Sequence, residues 1–399
     1  MVKKVVTTVF GFVLVACTAL LLQGCGNASS SPEIVDPAHL DSVKSLDVYV
    51  DGSTIHLLLA GPVGEKMAVR YLESTDGGKT WSERVAVPTY GKPPYGIYRG
   101  ADAQIAASGK HLIAVWPTHG SGWGGSGPLV SAISNDGGKT WYPGPDPAGP
   151  GSTKAEGYVD IAADDDGVFH TVWLDSSTGR QGLHYARSDD GGRHWSPAQT
   201  IDAVTCECCW NTFLAAPDGR LYVLYRNIDP RDMELAVSTN GGDSWRQRST
   251  VGKFGWDYKG CPETGGGLVV ATGASQPVLR AVVWTGEQGQ VGLHYLVSTD
   301  GGQNWKLSQR MGDTNARHSD MATLDGGHIA VVWDAVEKNG HSAIFVIESK
   351  DGGSTWSKPR QLSAPDTEGT HPRIVAAADG YTVFWTQADG DWEMFRLAD

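Results

Sequence analysis

The sequence is poor in three things, and each shortage excludes something. Positive charge is the first. Against 45 Asp and Glu stand 32 Lys and Arg, the formal net charge is −13, and no basic tract breaks the acidic balance. Neutralising a phosphate backbone takes clustered cations, so a nucleic-acid partner is excluded. Long apolar runs are the second shortage. The one such run, Val5 to Leu22, stands at the N-terminus behind Lys3 and Lys4. Helical periodicity is the third. Its absence, with 52 Gly among 399 residues, argues for many short strands joined by turns.

What the chain has instead is a repeat. Ser74-Thr75-Asp76-Gly77-Gly78-Lys79-Thr80-Trp81 returns at Ser134–Trp141, Ser188–Trp195, Ser238–Trp245, Ser298–Trp305 and Ser349–Trp356, with Asn240 once in the Asp position. Six copies at this spacing mark a repeat architecture. Each follows an alternating apolar run such as Leu293-His294-Tyr295-Leu296-Val297, which places the motif in a hairpin turn. There the Asp accepts backbone N–H groups. The Gly pair supplies positive φ, and the Trp seals one hairpin against its neighbour. The motif resembles the Asp-box, or BNR, repeat of the sialidase-like β-propellers, over nearly the whole mature chain. The resemblance implies an all-β propeller of four-stranded antiparallel blades in one domain, residues 32–399. It says little of function, because many non-enzymes share the motif.

A second repeat counts the blades. Apolar strands end in a large residue at Leu59, Trp116, Trp173, Tyr225, Trp284, Trp333 and Trp385, and the chain stops at Asp399, where a seventh Asp box would begin. Seven blades are expected. The last is built from three C-terminal strands and a fourth supplied near Glu33 to Val35, which hides the sheet edges. Six blades with an extra hairpin are the alternative. Ahead of the domain, Lys3, Lys4 and the apolar run make residues 1–24 a signal peptide. Its ending, Leu22-Gln23-Gly24-Cys25, resembles a bacterial lipobox. That resemblance implies lipidation of Cys25, residues 25–31 as a tether, and an anchor in the cell envelope. Gly26 is not the Asp associated with inner-membrane retention, so the outer membrane is expected, facing periplasm or cell surface.

In a four-stranded meander the loops before each first strand share one face, the mouth, and the Asp boxes lie on the other. Counting back from Gly109, Gly167, Gly219, Gly327 and Gly380 aligns the first strands. Seven residues back stand Asp102, Asp160, Thr212, Asp320 and Arg373; nine back stand Gly100, Tyr158, Trp210, His318 and His371. Arg99 and Arg317 immediately precede two of these, and Arg226 is also expected near the mouth. This ring of acids, bases and aromatics is the candidate site for a small molecule, glycan or metal ion, since clustered carboxylates need Arg or a cation. The bland alternative is that the Asp residues cap strand ends and bind neighbouring backbone.

Cys206-Glu207-Cys208-Cys209 and Cys261 fall in mouth loops of two successive blades. Two disulfides would staple those loops in an oxidising compartment. A thiolate site for copper or zinc is the sharper expectation, with His318 or His371 as further ligands. A redox dithiol is the third, set aside for want of a Cys-x-x-Cys motif. Asp164-Asp165-Asp166-Gly167 lacks the rest of a calcium loop and is expected to be a plain turn. Trp123, in a Gly-rich mouth loop, is available for stacking on a sugar.

Sialidases clamp a sugar carboxylate with an Arg trio and attack with a Tyr activated by Glu. The residue types are present, but the family's Arg-Ile-Pro-like signature is missing from Ser45-Leu46-Asp47-Val48-Tyr49-Val50. Catalytic roles are therefore not transferred, and no catalytic residue is assigned. The leading expectation is a lipid-anchored propeller that binds a ligand at its mouth. A diverged sialidase-like glycoside hydrolase and a non-catalytic scaffold for envelope assembly are the alternatives.

Overall fold

The computed structural model describes residues 33–34, 40–122, 125–150, 155–176, 179–245, 247–271, 276–324, 327–377 and 380–398. Cys25, the leader before it and Trp123 lie outside them. Within the compact unit Pro32–Asp399, the described residues form seven four-stranded antiparallel sheets, each a blade. The innermost strands are β2 (Ser45–Asp51), β6 (Gln104–Ser108), β10 (Glu156–Ala163), β14 (Thr212–Ala215), β18 (Gly266–Ala271), β22 (Ala316–Leu324) and β26 (Gly369–Ala377). In the last blade β26 pairs with β27 (Gly380–Gln387) and β27 with β28 (Trp392–Ala398). The fourth strand is β1 (Glu33–Ile34), with Glu33 opposite Met394 and Ile34 opposite Glu393. Seven blades, closed by the two ends of the chain, are what the sequence calls for. All seven large second-strand residues, from Leu59 to Trp385, are buried. They form the apolar layers between blades.

Each Asp box folds on itself. The Ser74 hydroxyl accepts from Gly78 N at 2.9 Å and donates to Asp76 at 2.8 Å, and Asp76 accepts from Thr80 N at 2.9 Å. The same bonds recur at Asp136 and Asp351. The Gly pair answers two demands. Both residues have positive φ, and in three boxes the second, Gly138, Gly242 or Gly353, lies beneath an aromatic ring of the preceding blade. A Cβ on Gly138 would sit 2.1 Å from Tyr71, and one on Gly353 would sit 2.3 Å from Tyr295. The box Trp packs edge-on against that same ring, Trp141 on Tyr71 and Trp356 on Tyr295. Asp164 forms a plain turn as expected, accepting from Asp166 N and Val168 N.

Three inner strands are bulged on the mouth side. Register shifts fall between Gly157 and Asp160, Ala316 and Ser319, and Thr370 and Arg373. A bulge takes one residue out of the ladder and re-aims its side chain. Here the displaced residues include Tyr158, His318 and His371. Tyr158 and His371 sit at φ 51° and 49°, a conformation that side chains beyond Cβ adopt at a cost.

Candidate functional site

The aligned carboxylates staple blade to blade. Asp102 accepts from Leu46 N at 3.1 Å, Asp160 from Phe213 N at 2.7 Å and Asp320 from Ile374 N at 3.0 Å. Each bond crosses to an adjacent blade. Asp47, which carried no role in the sequence, does the same toward Ile105 N at 2.9 Å. Turned to donate, the Gln104 amide bridges Asp47 and Asp160 at 3.1 and 3.3 Å. Burial sets the protonation of this ring. It pushes Asp47 up to about 7 and Asp160 up to about 6, with Arg373 opposing both rises. Asp320 is raised for the same reason. Arg373 holds its proton more tightly than a free guanidinium, burial being outweighed by Asp47, Asp320, Asp102 and Asp160.

Above that ring lies a cavity of about 20 Å³ lined from four blades, room for one or two waters. Its walls include Arg99, Trp210, His318, His371 and Arg373. The two imidazoles are stacked, centroids 3.6 Å apart and planes 13° from parallel. Trp210 leans on both, at 5.7 Å from each. It covers Gly100, where a Cβ would meet its ring at 2.9 Å, and Gly265, where a Cβ would meet it at 2.1 Å. The mouth is thus capped by the chain's own indole.

The imidazole pair is held by a residue missed in the sequence. Buried Asp334 accepts from His318 Nδ1 at 2.7 Å, from the Thr370 hydroxyl at 2.9 Å, and from the backbone N–H of His318 and of His371 at 3.1 and 2.9 Å. Burial alone would raise its pKa, but the two histidines and these bonds bring it down to about 2. Since Thr370 gives its proton to Asp334, His371 Nδ1 donates to the Thr370 oxygen at 2.8 Å. His371 therefore carries its proton on Nδ1 and presents Nε2 as a lone pair, and His318, donating Nδ1 to Asp334, does the same in its neutral form. His371 is kept neutral, well below its usual range, by burial and then by His318, with Arg99 and Arg373 adding. Asp334 already accepts four hydrogen bonds, so the trio with His318 and His371 makes a poor three-ligand metal site. It has the form of two oriented acceptors.

The expected arginines divide. Arg99 is spent on Leu46 O, Asp102 and His371 O at 2.6 to 2.7 Å. Arg226 is buried and gives its donors to Arg231 O, Thr264 and Trp284 O. Arg317 is exposed and lies 4.9 Å over the Trp284 ring. Arg373 lines the cavity, and its one ion pair among the described residues is with Asp47 at 3.6 Å. Tyr158 shares a 2.6 Å hydrogen bond with Tyr98 and packs on the cysteine cluster.

The cysteines correct two expectations. All four thiols are free, so the two disulfide staples are not formed. Cys206, Cys208 and Cys209 are buried together while Cys261 is exposed and outside the group. His318 and His371 belong to a separate cluster. Hydrogen bonds from Cys208 and Cys209 hold the Cys206 thiol well below its usual range, and Cys208 and Cys209 are pushed up. Cys206 and Cys209 are three residues apart, so the Cys-x-x-Cys spacing discounted in the sequence is in fact present.

Comparison with known proteins follows the fold. The family model described as a BNR repeat-like domain matches residues 45–253, and that of the BNR/Asp-box repeat matches residues 296–307. No curated protein matches. Among solved structures, an ulvan lyase of a polysaccharide lyase family is 10% identical with a TM-score of 0.58, covering 92% of this chain and 94% of its own. The intramolecular trans-sialidase of Ruminococcus gnavus is 14% identical with a TM-score of 0.48, covering 92% and 97%. A Streptococcus pneumoniae sialidase is 11% identical with a TM-score of 0.49, covering 92% and 70%. At these identities the likeness is one of fold.

Proposed function

The chain belongs to the BNR repeat-like family, and from that premise we propose that it is a lipid-anchored envelope protein whose propeller mouth binds an acidic saccharide without hydrolysing sialosides. One observation carries this: two imidazole lone pairs, fixed by Asp334 and Thr370, face the same cavity as the Arg373 guanidinium under the Trp210 ring. Imidazole Nε2 accepts from sugar hydroxyls, a guanidinium pairs with a carboxylate, and an indole face stacks on a pyranose. Sialidase chemistry is disfavoured because Arg99, Arg226 and Arg317 do not converge. The cavity is smaller than a sugar ring, so Trp210 lifts from Gly100 as the ligand seats. The experiment is a saccharide panel read by thermal shift, with uronates, sialic acid and neutral sugars side by side. Stabilisation by acidic sugars, lost in Arg373→Gln, is expected; equal response to neutral sugars, or none at all, would refute it.

The Asp334–His318 pair favours a second reading, elimination at a uronate. There His318 Nε2 takes the proton from the carbon beside the carboxylate, and the glycosidic oxygen leaves from the next carbon. The same panel decides, because the new double bond absorbs in the ultraviolet.

A further inference from the structure

The cysteine cluster lies apart from the mouth cavity and has an electrostatic oddity of its own. Cys206 Sγ is 3.1 Å from Cys209 Sγ and 4.0 Å from Cys208 Sγ. Arg231 is 5% exposed and directs Nη1 at Cys206 Sγ, 3.1 Å away. Its Nε goes to Tyr258 O at 2.6 Å. Arg226 is 2% exposed, and its charge also reaches Cys206 and Cys209. Neither guanidinium has a carboxylate within ion-pair distance among the described residues. Two buried cations without anions are costly, and the anions on offer here are thiolates.

We propose that Cys206, Cys208 and Cys209 bind one monovalent copper ion through three thiolates, with Arg231 and Arg226 as its counter-charges. Soft thiolate donors select Cu(I) or zinc. Structural zinc takes four ligands, whereas this group offers three, with Cys261 exposed and outside it. Three thiolates around a monovalent ion leave two negative charges, which the two guanidiniums balance. Metal binding needs a route from solvent. Arg231 provides it, since it also lines an open cavity of about 550 Å³ with Asn227, Asp229 and Tyr258. Binding is a ligation step: each thiol that is still protonated gives up its proton to solvent as its sulfur bonds the ion, and copper stays monovalent.

The test uses the full chain, reduced and kept anaerobic. Cu(I) is offered from its bicinchoninate complex and Zn(II) from a chromophoric chelator in parallel. One equivalent of copper per chain is expected, with sulfur as the sole first-shell scatterer in X-ray absorption of the unmutated protein. Cys206→Ser, Cys208→Ser and Cys209→Ser each weaken binding by at least about a hundredfold, and Arg231→Gln by about ten- to a hundredfold. Cys261→Ser leaves it unchanged. Thermal transitions of the variants show whether they fold; the wild-type stoichiometry and scattering stand whatever they do. No copper withdrawn from bicinchoninate, copper held equally well without these thiols, zinc taken in its place, or a Cys206–Cys209 disulfide that persists in the reduced protein would each overturn the proposal.

Discussion

The two faces of the propeller are built on opposite plans. On the Asp-box face the bonds that shape each turn are local: Asp76, Asp136, Asp190 and Asp351 each bind residues two to four positions away. One solution is used six times. On the mouth face the bonds are long-range. Arg99 reaches His371 across 272 positions, Thr370 reaches Asp334 across 36, and Asp160 reaches Phe213 across 53. Repetition marks a scaffold. Departure from the repeat marks the place where something specific is held, and the bulged strands carrying Tyr158, His318 and His371 are where that departure is greatest.

The comparison can be broken within a single turn. Gly138 and Gly137 share positive φ, but only Gly138 lies under Tyr71. Gly138→Ala should cost about 2–4 kcal/mol, from crowding added to backbone strain. Gly137→Ala, with nothing within 4 Å, should cost about 1 kcal/mol. Equal melting temperatures for the two would show that the rings do not clamp the boxes. On the mouth face, Asp334→Ala removes the acceptor of four hydrogen bonds and should cost about 3 kcal/mol. Unlike a scaffold change, it should also abolish saccharide binding; a variant that melts early yet binds normally would sever Asp334 from the site.

The carboxylate ring is read through pH. Asp47 has a folded pKa of about 7, raised above that of the unfolded chain, near 4. Its favourable contribution is complete below about pH 4 and is lost as pH rises through about 7. Asp47→Asn keeps an acceptor for Ile105 N and removes the titration. The variant should gain on the wild type by about 4 kcal/mol between pH 4 and pH 8, and parallel stability profiles would contradict that. Asp334 runs the other way. Its pKa of about 2 makes its contribution full above about pH 4 and lost as pH falls toward 2. The smallest effect expected is Arg317→Ala, about 0.5–1 kcal/mol for an exposed guanidinium resting on the Trp284 ring, with saccharide binding untouched.

Legibility followed the same divide. The blade count, the closure by Glu33–Ile34 and the Asp-box bonds were readable because each depends on residues near one another or on a counted repeat. Counting back from the turn glycines also found His318, His371, Trp210 and Arg373. It missed Asp334, which sits on a second strand, immediately after the Trp333 that served only as a blade marker. Asp47 went unassigned because it stands five residues before its turn glycine, Gly52, and the count was taken at seven. The carboxylates were read first as a ligand ring, with binding of neighbouring backbone as the alternative; the alternative holds for Asp102, Asp160 and Asp320, and no local pattern decides between the two because the partners are more than fifty residues distant. The second glycine of each box was credited with φ alone, since the side chain above it belongs to another blade. Arg231 carried no signal at all; its role follows from the thiol beside it.

The most direct measurement is a calorimetric titration of the protein with a uronic-acid disaccharide and with the same disaccharide reduced at its carboxyl group. A mouth organised around Arg373 and the His318–His371 pair binds the acid, loses at least about tenfold in affinity for the reduced sugar, and loses both in His318→Ala with His371→Ala. Equal affinity for acid and reduced sugar, or binding that survives the double substitution, would contradict the assignment of this mouth to acidic saccharides.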